Sequence, residues 1–166
     1  MRRLALTAAL CASFVASLPA QQIGDFQPGS QPTSKAKSHI SYAAEPQTLP
    51  AGRQGWIDLR FQVDPGYHVN SHTPKSDLLI PTELTIRPED GVSLGKLQYP
   101  AGTSYSFPTQ PDEKLDVYTG IFLVRLSVQA KAGDHTLSAT LRYQACDHAA
   151  CYPPKTLPVE IPFTAN

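Results

Sequence analysis

From His39 onward, apolar and polar residues alternate in short runs broken by glycine and proline. Leu59, Phe61 and Val63 lie two apart, and so do Phe122, Val124, Leu126 and Val128. A period of two sends successive side chains to opposite faces of a strand, so one parity of each run must face a core. On this pattern strands are predicted at residues 40–44, 56–63, 67–71, 82–86, 96–99, 121–129, 136–143 and 159–163. Turn signals fall between them, at Pro50-Ala51-Gly52, Asp64-Pro65-Gly66, Glu89-Asp90-Gly91 and Ala132-Gly133-Asp134. No stretch carries a long helical period. Many short strands at this spacing predict an all-β fold, a β-sandwich formed as one domain over residues 39–166.

The N-terminal 38 residues break the pattern. Arg2 and Arg3 precede an apolar run at 4–19 that ends in small residues, which reads as a signal peptide over residues 1–20. The run is shorter than the roughly 20 residues of a spanning helix. No later run could cross a membrane, so the protein is not expected to be membrane-spanning. Residues 21–38 are rich in Gln, Ser, Pro, Gly and Lys, the composition of a flexible leader without a core of its own. Lys and Arg together number 14, and so do Asp and Glu, which gives no basic excess for nucleic acid and no acidic tail for a basic partner. Nucleophile-elbow, phosphate-loop, HExxH and EF-hand patterns are all missing from the chain. No cofactor is called for.

The chemistry is concentrated in Tyr143-Gln144-Ala145-Cys146-Asp147-His148-Ala149-Ala150-Cys151-Tyr152-Pro153-Pro154-Lys155. The third cysteine, Cys11, falls in the predicted signal peptide, so export would leave one cysteine pair in a compartment where a disulfide persists. A loop between two strands can bring these cysteines within bridging range. Three uses of the pair compete. As a staple it would contribute little, because closing a loop of about six residues gives roughly 2 kcal/mol, against roughly 4.7 for about a hundred residues. As a redox pair, its weak stabilisation is an asset, and His148 between the two sulfurs would favour a thiolate while Asp147 would oppose it. As a metal site for copper or zinc, Cys146, His148 and Cys151 would have a spacing that zinc sites do not ordinarily use.

One further stretch bears on the pair. In Gly66-Tyr67-His68-Val69-Asn70-Ser71-His72, a strand would put His68, Asn70 and His72 on one face, with Tyr67, Val69 and Ser71 on the other. That face is either solvated or a polar wall beside the cysteines.

The segment from Tyr143 to Lys155, with Tyr-Gln, paired cysteines and Cys-Tyr-Pro-Pro, resembles the active-site segment of the N-terminal periplasmic domain of the thiol:disulfide interchange protein DsbD. The likeness extends more weakly from about Ser41 to the C-terminus. It implies an immunoglobulin-like β-sandwich in the periplasm that acts as a thiol–disulfide exchange component, a protein-disulfide reductase. It further implies that Cys151 bonds the partner and Cys146 resolves the mixed disulfide. Thioredoxin-fold redox proteins are the implied partners, with electrons arriving through a membrane electron-transfer protein expected to be a separate polypeptide. By the match of Gly66-Tyr67, His68 and Asn70 stand where the family has two site tyrosines. Asp116-Val117-Tyr118-Thr119-Gly120 is similar to the family's cap loop, which implies that Tyr118 shields the sulfurs. Val117 stands there in place of an aromatic residue, and Thr119 intervenes before Gly120. Tyr143, His148 and Tyr152 complete the expected surroundings of the pair. The readings that remain beside this one are a non-catalytic binding module with a structural disulfide and a Cys/His metal-binding protein.

Overall fold

A computed structural model describes residues 37–166. The expected signal peptide and all but Lys37 and Ser38 of the expected leader lie outside the described residues. Among these, all regular structure is β: β1 (Ile40–Ala43), β2 (Gln47–Leu49), β3 (Gln54–Val63), β4 (His68–Asn70), β5 (Glu83–Ile86), β6 (Val92–Gln98), β7 (Thr103–Phe107), β8 (Gln110–Tyr118), β9 (Ile121–Ala130), β10 (Gly133–Tyr143), β11 (Ala145–Cys146) and β12 (Lys155–Ala165). No helix among the described residues is long and apolar enough to cross a membrane.

Two four-stranded sheets form the sandwich, with strand orders β1-β3-β9-β6 and β2-β12-β10-β5. The alternation in β3 and β9 resolves to one parity. Ile57, Leu59, Phe61 and Val63 face inward, opposite Leu126, Val124 and Phe122, and all are buried. From the other sheet, Leu137, Ala139 and Leu141 of β10 and Val159, Ile161 and Phe163 of β12 fill the same core. Each large apolar side chain buried this way contributes about 1.5–3 kcal/mol. The outward positions of β9 include Ile121 and Leu123, which stay exposed. Pro158 and Pro162 fit within β12 because β2 pairs only with Phe163 to Ala165. The rest of that side of β12 carries no ladder that a missing N–H could break. All pairings in the two sheets are antiparallel except that of β2 with β12.

The expected sandwich is therefore present, an immunoglobulin-like β-sandwich, with a third small sheet added. Its order is β11-β4-β8-β7. Two glycines in the left-handed region lead the chain into and out of it. Gly66, at φ 82°, follows Asp64 and Pro65 in the turn before β4, and Gly120, at φ 57°, turns β8 into β9. Residues with a Cβ rarely adopt either conformation. Four strands lie outside the pattern read from the sequence: β2, β7, β8 and β11. The hairpin of β7 and β8 begins in exposed polar residues, Gln110 to Lys114, which carry no apolar period.

Candidate functional site: a disulfide at the edge of the third sheet

Cys146 and Cys151 are joined in a disulfide, their Cα atoms 3.9 Å apart across an isolated antiparallel bridge. The chain reverses between them over Asp147, His148, Ala149 and Ala150. The Asp147 carboxylate organises this reversal. Its Oδ1 accepts from Ala149 N at 2.7 Å and Ala150 N at 2.9 Å, and its Oδ2 accepts from the Tyr152 hydroxyl at 2.6 Å. A short polar side chain that bonds backbone N–H groups two and three residues on is a local turn-former. The backbone closes the same hairpin through Asp147 N to Ala150 O and Tyr152 N to Ala145 O. These contacts leave an electrostatic signature. The Tyr152 hydrogen bond, followed by the two amides, holds the Asp147 carboxyl down at about 2. The same bond to Asp147, with burial second, pushes the Tyr152 phenol up to about 12.

The two sulfurs have opposite environments. Cys146 is fully buried, at 0% exposure, whereas Cys151 is exposed. β11 explains the difference. It pairs with β4 so that Ala145 lies opposite Val69 and Cys146 opposite His68. On the far side of β4, Val69 lies opposite Tyr118 and Asn70 opposite Val117. Side chains alternate across the sheet, so Ala145, Val69 and Tyr118 share the core face, and Cys146, His68, Asn70 and Val117 share the other. Above that second face stand Tyr105 and Phe107 of β7. The Tyr105 ring lies 4.0 Å from the His68 ring and the Phe107 ring 5.8 Å from it. Burial lowers the His68 pKa, and the nearby Asp147 charge only partly opposes this.

A half-buried polar hub ties the segment after Cys151 to the rest. Gln144 donates through Nε2 to Tyr152 O at 3.2 Å, and its Oε1 accepts from Asn70 Nδ2 at 3.2 Å and from Ile80 N at 3.4 Å. Asn70 Nδ2 also donates to Ile80 O at 2.9 Å. The outer rim is aromatic: Tyr152 lies 5.5 Å from His39 and 6.1 Å from Tyr67, and those two rings stack at 3.8 Å.

The family model for the N-terminal domain of the thiol:disulfide interchange protein DsbD matches residues 40–161. The chain belongs to this family. The match takes in both cysteines, β4 and the β7–β8 hairpin, so the DsbD relationship covers every element that builds the site. The N-terminal periplasmic domain of ScsB from Proteus mirabilis is similar in structure, at 12% identity and a TM-score of 0.51, with the match covering 75% of this chain and 51% of that one. The reduced DsbD N-terminal domain of Neisseria meningitidis is 20% identical, with coverage of 70% and 82% and a TM-score of 0.45. The same Neisseria domain in complex with the PilB N-terminal domain is 19% identical, covering 68% and 80%, with a TM-score of 0.41. No curated protein matches the chain.

Tyr118, expected over the sulfurs, points into the core instead. It is 3% exposed and stacks on Phe122 at 4.5 Å; its hydroxyl donates to Pro100 O at 3.0 Å and accepts from His72 N at 3.1 Å. Strand parity is the reason: a residue one position from Val117 must face away from it. Asp116 sits part-exposed and uses its carbonyl to accept from Ser71 N at 2.9 Å. Of that segment only Val117 shares the face of Cys146. Tyr143 is likewise a core residue, with its hydroxyl 2.8 Å from Ser38 Oγ. His148 is exposed on the reversal between the cysteines. His68 and Asn70, whose face had been readable as solvated, are 2% and 0% exposed, so that alternative falls. Among the described residues no three His, Cys, Asp or Glu side chains are grouped to hold a metal ion.

Tyr105, Phe107 and His39 are the contributors that sequence reasoning missed; Gln144 and Tyr67 entered it only as parts of the Tyr-Gln and Gly-Tyr matches, without a role. The alternation of Tyr105 and Phe107 was a usable signal. Nothing in the sequence pointed to His39, which reaches Tyr152 only through the fold.

Proposed function

We propose that this domain is a periplasmic thiol–disulfide exchange module in which Cys151 is the sulfur that partners attack and Cys146 is the one that leaves and later resolves. The observation that carries the assignment is the asymmetry across one bond, with Cys151 exposed and Cys146 sealed behind β4. Exchange requires the incoming thiolate to reach a sulfur, so access selects Cys151. In the reductive half-reaction a partner thiolate attacks Cys151 Sγ. A new S–S bond forms there, the Cys146–Cys151 bond breaks, and its electron pair leaves on Cys146 Sγ. The partner's second thiolate then attacks its own bonded sulfur and releases a reduced domain. Toward an oxidised acceptor the steps reverse: Cys151 attacks the acceptor disulfide, and Cys146 displaces the reduced acceptor while re-forming the internal bond.

Pro153 and Pro154 stiffen the backbone beside Cys151 and offer no N–H groups. Together with Tyr152 they present a pre-shaped surface to a partner. The partner class that fits is a thioredoxin-fold protein with its own exposed cysteine, and the electron source is a membrane-linked donor of the same kind, as the family resemblance implies. The periplasmic assignment rests on the family and on Arg2 and Arg3 followed by the apolar run at 4–19. The test is a pair of variants offered to an oxidised thioredoxin-fold protein. Cys146→Ser is expected to accumulate a mixed disulfide through Cys151, and Cys151→Ser is not. The reverse pattern would overturn the assignment of roles.

A further inference from the structure

His68 takes no part in the exchange steps of the two cysteines. It is 2% exposed, and its Nε2 has no hydrogen-bond partner. A buried polar nitrogen without a partner is uncommon and unfavourable in a folded protein. His68 is also the residue directly opposite Cys146 in the β4–β11 pairing, on the same face. Directly opposed side chains in an antiparallel pair have Cβ atoms about 4.5–5.5 Å apart. Tyr105 and Phe107 lie against the ring and keep bulk water away. Nε2 makes no hydrogen bond to either sulfur of the closed disulfide.

We propose that His68 is the hydrogen-bonding partner of the Cys146 sulfur in the reduced protein, so that opening the disulfide satisfies a nitrogen the closed form leaves unpaired. The inference rests on the exchange reading above and deepens it. When a partner thiolate attacks Cys151, the electron pair of the broken bond resides on Cys146 Sγ. Freed from Cys151, that sulfur can rotate about its Cα–Cβ bond toward the imidazole. Nε2–H then donates to the thiolate, and the two protons that finally neutralise Cys146 and Cys151 are the two that the partner's thiols gave up to solvent on forming their thiolates. The surroundings make the imidazole the dominant influence. On this face β8 contributes Val117 and β7 contributes Tyr105 and Phe107, none of them charged. β4 itself adds Asn70, and Asp147 at the end of β11 is the one nearby carboxylate, opposing a negative sulfur. His68 is thus a positioning residue that favours the reduced state and lowers the Cys146 thiol pKa.

Replacing His68 by Phe keeps a ring beneath Tyr105, removes the unpaired nitrogen of the oxidised form and removes the partner of the reduced form. Both changes favour the disulfide. The experiment equilibrates native protein, His68→Phe and His68→Gln with glutathione buffers at several pH values and counts free thiols by mass after alkylation. In His68→Phe the equilibrium is expected to shift about tenfold toward the disulfide, close to 30 mV for a two-electron couple. His68→Gln, which keeps a polar side chain, is expected to recover part of the shift, and it serves in place of Phe should that variant not fold. In a Cys151→Ala background, thiolate absorbance of Cys146 is expected to rise at lower pH with His68 than with Phe or Gln. An unchanged midpoint and an unchanged Cys146 titration in folded variants would overturn the role of His68 alone. A native pair that refuses to equilibrate with glutathione at all would instead overturn the exchange reading on which it rests.

Discussion

Gln144 is the residue on which the segment after Cys151 hangs, and replacing it by Met isolates that role. Met keeps the length and much of the volume of the side chain but none of its polar atoms. Three hydrogen bonds are lost: to Tyr152 O at 3.2 Å, from Asn70 Nδ2 at 3.2 Å and from Ile80 N at 3.4 Å. All are long, so each contributes near the lower end of the usual range, about 0.5–1 kcal/mol. Asn70 Nδ2 keeps its bond to Ile80 O at 2.9 Å and is not left unpaired. The total is about 2 kcal/mol, or roughly 8 °C in Tm for a domain of this size. The assay is urea unfolding of the oxidised protein, in which the midpoint should fall with no change in slope. A second readout is local: dithiothreitol should reduce the Gln144→Met disulfide faster than the native one, because Tyr152 is no longer tethered. A stability change below about 0.5 kcal/mol with an unchanged reduction rate would refute the idea that this hub holds the site.

The acid side of the site gives a second prediction. The Asp147 carboxyl is held down at about 2, so its hydrogen-bonded reversal is intact above the ordinary carboxylate range and is lost as pH falls toward that value. Amide shifts of Ala149 and Ala150 should follow this transition. Asp147→Asn should abolish it and bring the Tyr152 phenol down from about 12 toward 10, read by ultraviolet titration. Tyr118 and Tyr105 should separate stability from protection. Tyr118→Phe leaves Pro100 O and His72 N without their partner and should cost about 1–3 kcal/mol with no effect on exchange. Tyr105→Ala should leave stability nearly unchanged while speeding reduction by a small thiol, since it uncovers His68 and the sheet face of Cys146.

Much of the sandwich was legible because its core strands carry apolar residues two apart. Ile57 to Val63 and Phe122 to Val128 carry the period of two that burial on one face imposes. The β7–β8 hairpin was not legible because its tip faces water on both sides, and Gln110 to Lys114 has no apolar parity to detect. β2 was lost for a different reason. It is three residues long and joins its sheet by a parallel pairing to β12, a contact distant in sequence. At the site, the cysteine pair was legible as two cysteines in one short loop, whereas Tyr152 came only with the family resemblance and Asp147 only as a charge opposing a thiolate, not as the acceptor that organises the reversal. The cap was not legible. Val117 and Tyr118 are adjacent in sequence yet lie on opposite faces of a sheet whose existence was not foreseen. The polar wall of His68 and Asn70 was visible as a strand face, but its burial depends on β7, β8 and β11 closing around β4. His39 came into the rim through stacking on Tyr67, which no local pattern announces.

The central claim is that the Cys146–Cys151 bond is redox-active and not a staple. A bridge across about six residues gains only about 2 kcal/mol from loop closure, and its Cys151 sulfur is open to attack. The most direct measurement is the midpoint potential of the pair, obtained by equilibrating the purified native protein in graded thiol–disulfide buffers and counting thiols by alkylation and intact mass. A midpoint above about −300 mV is predicted, within reach of cellular exchange partners. A pair that stays fully oxidised in buffers poised below that value would contradict the account and leave the disulfide as a structural bond.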